Sequence, residues 1–236
     1  MIWAPLAFAD ARFDEANAKL AAGDLAGAEA GYRALLEDGL TDGDVYYDLG
    51  NVLWRREELA GAILAWRRAD ARLPRDPDVE ANLDFARRSV RDALEVDPPH
   101  PWFAPWQVAL TPAEGAWLGA GLAGLGLLAL AARRRLPHVP LVGIGGALAV
   151  AGGVVWAGGV AAEGLPPVAV VLADEVTATS DLGGGVSLFT LHAGAEVLAP
   201  EETSGQVLLQ LPDGRKGWVP AQAVGLADPD RPFPVF

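Results

Sequence analysis

The chain has 236 residues, a formal net charge of −13 and no cysteine. The charge argues against a nucleic-acid partner held by phosphate neutralisation, and the missing cysteines exclude disulfides and thiol chemistry. Hydrophobic residues make up 51% and the mean hydropathy is +0.22, an excess that two apolar runs account for, leaving enough chain for two small domains around them.

Residues 1–9 read Met-Ile-Trp-Ala-Pro-Leu-Ala-Phe-Ala. Ala7 and Ala9 are spaced like a signal-peptidase site, but no basic residue precedes them and the apolar part is short. Two readings stand: the remnant of a signal peptide that starts upstream, or a plain apolar N-terminus.

Residues 10–94 carry a helical repeat. One copy, Gly43–Asp76, holds Tyr46, Leu49, Gly50, Leu53, Ala62, Trp66, Ala69 and Pro74. In the copy before it, Ala9–Asp42, Ala16, Ala28 and Tyr32 stand 34 residues ahead of Gly50, Ala62 and Trp66, and Gly23-Asp24 forms the turn. These spacings are similar to the tetratricopeptide pattern, in which small residues sit where two helices cross and large ones fill the space beside them. Asp78–Leu94, with Val79, Leu83 and Ala86 at helical spacing, reads as a capping helix.

Such an all-α solenoid has a concave face built from the first helix of each pair. Phe13, Asn17 and Leu20 project there from the first copy, Tyr47, Asn51, Trp54 and Arg55 from the second, and Phe85 and Arg88 from the cap. Of these, Asn17, Tyr47, Asn51, Trp54, Arg55 and Arg88 are the candidate partner-binding residues. An Asn at that repeat position offers a donor and an acceptor to a peptide backbone. The competing reading has the asparagines wetting a helix surface and the aromatics only packing.

Residues 95–112 form a linker. Asp97-Pro98-Pro99-His100-Pro101 cannot be helical, and Trp102, Phe103 and Trp106 read as a segment at a membrane interface.

Residues 113–162 hold the two apolar runs, 113–132 and 139–162, around Arg133-Arg134-Arg135. Each is long enough to span a bilayer as a helix, and Trp117 and Trp156 stand near run ends. Gly115–Gly119, Ala120–Gly124 and Ala149–Gly153 are pairs of small residues that let two helices approach. The alternative is a buried helical hairpin in a soluble domain. No Lys or Arg occurs from Asp92 to Ala132 or from Leu136 to Pro212. The positive-inside rule therefore puts the arginine turn in the cytoplasm and both flanking segments in the periplasm of a bacterial inner membrane.

Residues 166–227 read as a small all-β barrel of five or six short strands, ahead of a tail at 228–236. The strands are expected at Val168–Leu172, Glu175–Thr179, Phe189–Gly194, Ala195–Ala199, Val207–Leu211 and Arg215–Pro220, with a turn of helix at Ala221–Val224. The order of pieces, and the run Asp213-Gly214-Arg215-Lys216-Gly217-Trp218-Val219-Pro220 above all, resembles bacterial SH3 domains. That resemblance implies a shallow groove flanked by Phe189 and a partly buried Trp218. Two departures stand out: Ala178-Thr179-Ser180-Asp181 where the family has Arg-Ser-Gly-Pro, and no aromatic near Gln206.

The whole layout resembles the BatE proteins of the Bacteroides aerotolerance operon, with tetratricopeptide repeats, two membrane helices and a bacterial SH3 domain in this order. The stretches Val45–Trp54, Asp76–Arg87, Thr111-Pro112 and Phe189–Pro220 carry it. The resemblance implies work beside other Bat proteins with von Willebrand A-type domains and a MoxR-type ATPase. It supplies no mechanism. The expected function is a membrane-anchored scaffold that binds envelope proteins through the repeat groove. The alternative is an envelope module that binds peptidoglycan through the SH3-like domain. An enzyme is the weakest reading: three scattered His, no Cys and no phosphate loop leave no catalytic set, cofactor or metal site to assemble.

Overall fold

A computed structural model describes residues 6–94, 110–133 and 140–234. The first five residues of the apolar N-terminus, the Trp102, Phe103 and Trp106 segment, and Arg134 and Arg135 lie outside the described residues. The chain divides into two compact units, one holding the flanking segments and the other the apolar runs.

The first unit opens with five helices: α1 (Leu6–Ala21), α2 (Leu25–Glu37), α3 (Gly43–Arg55), α4 (Leu59–Arg72) and α5 (Pro77–Arg87). Asp24, Asp42 and Asp76 accept from backbone N–H groups at the starts of α2, α3 and α5, satisfying donors that helix geometry leaves open. Gly23, at φ 80°, makes the tight α1–α2 turn. Two helix crossings follow the small-residue rule. A β-carbon on Gly31 would lie 2.9 Å from that of Ala16, and one on Gly50 would lie 2.5 Å from the Trp66 indole. Tyr32, Leu35, Leu49, Leu53, Ile63 and Trp66 fill the space between the helices.

The cap helix is shorter than the sequence predicts. It stops at Arg87, and the chain turns through a bond from Ser89 N–H to Ala86 O, so that Val90 and Leu94 pack inward.

The same unit contains a seven-stranded antiparallel sheet. Its strands are β1 (Val168–Val171), β2 (Glu175–Thr179), β3 (Ser187–His192), β4 (Glu196–Thr203), β5 (Gln206–Gln210), β6 (Lys216–Pro220) and β7 (Val224–Leu226), in spatial order β3-β2-β6-β5-β4-β1-β7. One apolar face, including Leu191 from one edge and Val224 and Leu226 from the other, forms a single core, so the sheet curls around it. Two features exceed the sequence reading. β4 runs to Thr203 and turns into β5 through Ser204 and Gly205, both at positive φ, and the chain past Ala223 extends as β7 rather than as helix.

β1 joins the helices to the sheet. Ala169 and Val171 enter the sheet core, while Val170 and Leu172 pack into the helical core. Strand alternation sends successive side chains to opposite faces, and both faces are covered here. Glu196, 3% exposed, accepts from Arg67 of α4 and from Arg87 of α5, the latter at 2.7 Å. Burial alone would raise its carboxyl, but the Arg67 charge and the bonds from both arginines hold it below the usual carboxylate range. Asp92 accepts from His192 at both the backbone N–H and the ring Nδ1, each at 2.8 Å, so His192 serves this joint.

The second unit is a hairpin of α6 (Pro112–Ala132) and α7 (Leu141–Glu163), both long and apolar enough to cross a membrane. A capping box between Thr111 and Glu114 fixes the start of α6. The helices touch backbone to backbone: β-carbons on Gly119 and Gly126 would lie 2.6 Å from the carbonyl oxygens of Gly152 and Gly145. The expected pairs are only partly right. Gly119 and Ala149 sit in this contact, whereas Gly124 and Gly153 face open space; the contact runs through Gly119, Ala123 and Gly126 on α6 and Gly145, Ala149 and Gly152 on α7, in alternating steps of four and three. Trp117 and Trp156 are both exposed and belong to the same end of the hairpin.

Candidate binding surface

A row of polar side chains crosses α1, α2, α3 and α5. Tyr32 donates to Asn17 Oδ1 at 2.5 Å, Asn51 donates to Asp48 at 3.5 Å, and Asn82 donates to Asn51 Oδ1 at 3.1 Å. Burial pushes the Asp48 carboxyl up, against the lowering bond from Asn51. Burial and the neighbouring Asp48 charge also push the Tyr32 hydroxyl up, which keeps it a donor. Asn17 and Asn51 are thus partly committed within the fold: each spends its amide oxygen on a neighbour, leaving N–H groups to donate.

The other expected residues gather at the α3–α5 end. The Trp54 ring lies 6.0 Å from that of Trp66 and meets Phe85 edge-on at 5.4 Å. Phe85 is 54% exposed, and the Arg88 guanidinium lies 5.8 Å from its ring centre. Trp54, Arg55, Glu57, Leu59 and Ser89 line an open cleft of about 420 Å³. Tyr47 is half-buried against the helical core. The structure therefore brings Trp54, Arg55, Phe85 and Arg88 together and leaves Asn17 at the far end, among α1 and α2. Sequence reasoning passed over Asp48 and gave Asn82 no role. Asp14, Asp48 and Asn82 stand 34 residues apart, so Asp48 and Asn82 share one repeat position, a signal that the small-residue and aromatic positions of the repeat overshadowed.

In the sheet, Phe189 and Trp218 do not flank one groove. A β-carbon on Gly217 would lie 3.2 Å from the Phe189 ring and 2.7 Å from Ala178, on the core face. Trp218 is next in the strand, so it points to the opposite face, half-buried and outside the sheet core. Arg215 covers the Phe189 ring at 5.6 Å. Among the described residues, no group of three or more His, Asp or Glu side chains is placed to hold a metal ion.

No family profile, curated protein or solved structure matches this chain.

Proposed function

We propose that this protein is a membrane-anchored scaffold that holds a protein partner at the Trp54–Phe85 corner of its helical region. The observation that carries this reading is Phe85. A large aromatic ring that is 54% exposed, braced edge-on by Trp54 and carrying Arg88 over it, is the arrangement of an interface anchor. In a chain of net charge −13, Arg55 in the cleft, beside Glu57, and Arg88 against the Phe85 ring offer cations to an acidic side chain or a terminal carboxylate.

In this reading α1–α4 are two tetratricopeptide-like repeats capped by α5, the curled sheet is an SH3-like barrel, and the chain is a BatE-type protein. The paired helices with small residues at their crossings support the first assignment, and the order of units supports the last. The two apolar helices serve as the anchor in a bacterial inner membrane. The ion pairs of Arg67 and Arg87 with Glu196 join segments that precede and follow the hairpin, which fits both lying on one side of the membrane. The charge pattern supports the periplasm as that side. The sheet supports a peptidoglycan site less well, because Phe189 and Trp218 occupy opposite faces.

The test is co-purification with a protein carrying a von Willebrand A-type domain of the Bat kind, expressed beside the full chain. Arg55→Glu with Arg88→Glu alters only exposed side chains and should leave the melting temperature unchanged while reducing recovery at least about tenfold. Full recovery with this variant would reject the corner as the binding site.

A further inference from the structure

The tail that follows β7 lies against the helices as a bound ligand would. Its residues Asp228 to Pro234 hold three prolines, at 229, 232 and 234. Proline has no N–H, so this segment presents mainly carbonyl oxygens. The helical face opposite is made of donors. Tyr46 donates to Pro229 O at 2.7 Å, Arg68 to Arg231 O at 2.8 Å and to Pro232 O at 3.3 Å, and Arg33 to Pro234 O at 2.8 Å. Phe233 sits in the middle. Its ring centre lies 5.2 Å from the Arg33 guanidinium, 5.1 Å from that of Arg68 and 6.2 Å from the Tyr46 ring. Arg72 pairs with Asp230.

Arg68 is 1% exposed, yet its contacts on this face go to main-chain atoms and an aromatic ring rather than to a carboxylate. Such contacts read a backbone shape and one aromatic anchor, with little regard to the remaining side chains. The tail also leaves room: a cleft of about 460 Å³ continues past Phe233 between Arg33, Leu36 and Thr41.

We propose that this α2–α4 face is a recognition site for proline-flanked aromatic segments, and that the chain's own tail fills it in cis. A second segment of the same chemistry, presented by a partner protein, gains the site by displacing the tail. The site shares no residue with the Trp54–Phe85 corner, so it stands apart from the scaffold reading above. The ligand chemistry follows from the surface: prolines keep the segment extended at low entropic cost and remove donors that would face the arginines, while the aromatic ring stacks between two guanidinium groups.

The experiment uses the detergent-solubilised full chain with a protease site inserted between Ala227 and Asp228, so that the tail is cut only after folding. A fluorescent peptide with the sequence of residues 228–236 is titrated and followed by anisotropy. The cut protein should bind the peptide, and the uncut protein should bind it at least about tenfold more weakly. Replacing the peptide's Phe at the position of Phe233 by Ala should weaken binding at least about tenfold. In the uncut chain, Phe233→Ala loosens the tail without removing it and should strengthen peptide binding at least about fivefold. Absence of binding to the cut protein, equal binding to cut and uncut protein, or indifference to the Phe at the position of Phe233 would each show the tail to be a structural clasp and overturn the proposal.

Discussion

Arg68 of α4 donates two hydrogen bonds to a single carbonyl oxygen, that of Leu226 at the end of β7, at 3.1 Å and 3.0 Å. This contact, 158 residues apart in sequence, and the buried Glu196 bonds, 129 and 109 apart, tie α4 and α5 to strands that arrive after the hairpin. Burial draws the Arg68 pKa below the ordinary guanidinium range, with the neighbouring Tyr46 opposing that shift. The geometry uses a planar fork: one side chain serves Leu226, Arg231 and Pro232 together.

Lysine keeps the charge but cannot reproduce that fork. Arg68→Lys should therefore leave buried carbonyls without donors and cost about 2–4 kcal/mol of stability. Denaturant unfolding of the helix-and-sheet unit within the solubilised chain reads this directly. An unchanged midpoint would mean that these bonds are not supporting the joint.

Glu196→Gln tests the other half of the joint and gives it a pH signature. Removing one partner of a buried ion pair costs about 3–5 kcal/mol, because both arginines keep their charge. The folded Glu196 carboxyl lies below its ordinary value of 4.5. Its contribution is therefore complete above about pH 4.5 and fades as the pH falls through the lower folded value. The stability gap between wild type and Glu196→Gln should be largest near neutrality and shrink below about pH 4.5. A gap that stayed constant down to about pH 3 would contradict the assignment.

In β6 the sensitive position is Gly217 rather than the tryptophan beside it. A β-carbon there meets Ala178 at 2.7 Å and Phe189 at 3.2 Å, inside the sheet core. Gly217→Ala should cost about 1–3 kcal/mol by overpacking. Trp218→Ala should stay below the roughly 3–5 kcal/mol of a core aromatic, since Trp218 is half-buried and outside that core. Thermal melts of the two variants, monitored by β-sheet signal, would decide between them. A neutral Gly217→Ala would refute the packing on this face.

What the sequence disclosed depended on whether a feature was local. The repeat positions Gly50 and Trp66 lie 16 residues apart and meet at one crossing, so spacing alone found them. Asp24, Asp42 and Asp76 announce helix starts by residue type. The joint between helices and sheet was not legible. Val168–Leu172 reads as an ordinary short strand, and only its lack of alternation hints that both faces are covered. Glu196 looks like any surface carboxylate until Arg67 and Arg87 are folded around it. Residues 228–236 read only as a tail with no assigned role, yet the carbonyls of its prolines are what Arg33, Tyr46 and Arg68 hold. Trp54, Arg55 and Arg88 were placed on one face by helix spacing alone. The commitment of Asn51 to Asp48 and Asn82 required coordinates.

The hairpin allows a test with an internal control, because adjacent glycines in α7 have opposite surroundings. A β-carbon on Gly152 would lie 2.4 Å from the Gly119 carbonyl oxygen and 2.5 Å from the Ala123 nitrogen. Both atoms are helix backbone, which cannot move without parting the helices. A β-carbon on Gly153 meets nothing within 4 Å. Helix propensity treats the two alike, and both substitutions remove a flexible residue, so any difference must come from the contact between helices. The chain has no cysteine, so spin labels attached to cysteines placed at Leu118 and Ala157 would be unique. In nanodiscs, Gly153→Val should keep the narrow distance distribution of the parent, whereas Gly152→Val should broaden it and shift it outward by several ångströms, roughly the difference between a glycine contact and an ordinary 8–10 Å helix spacing. If both variants broadened the distribution, or neither did, the backbone contact of Gly119 with Gly152 would not be what holds α6 against α7.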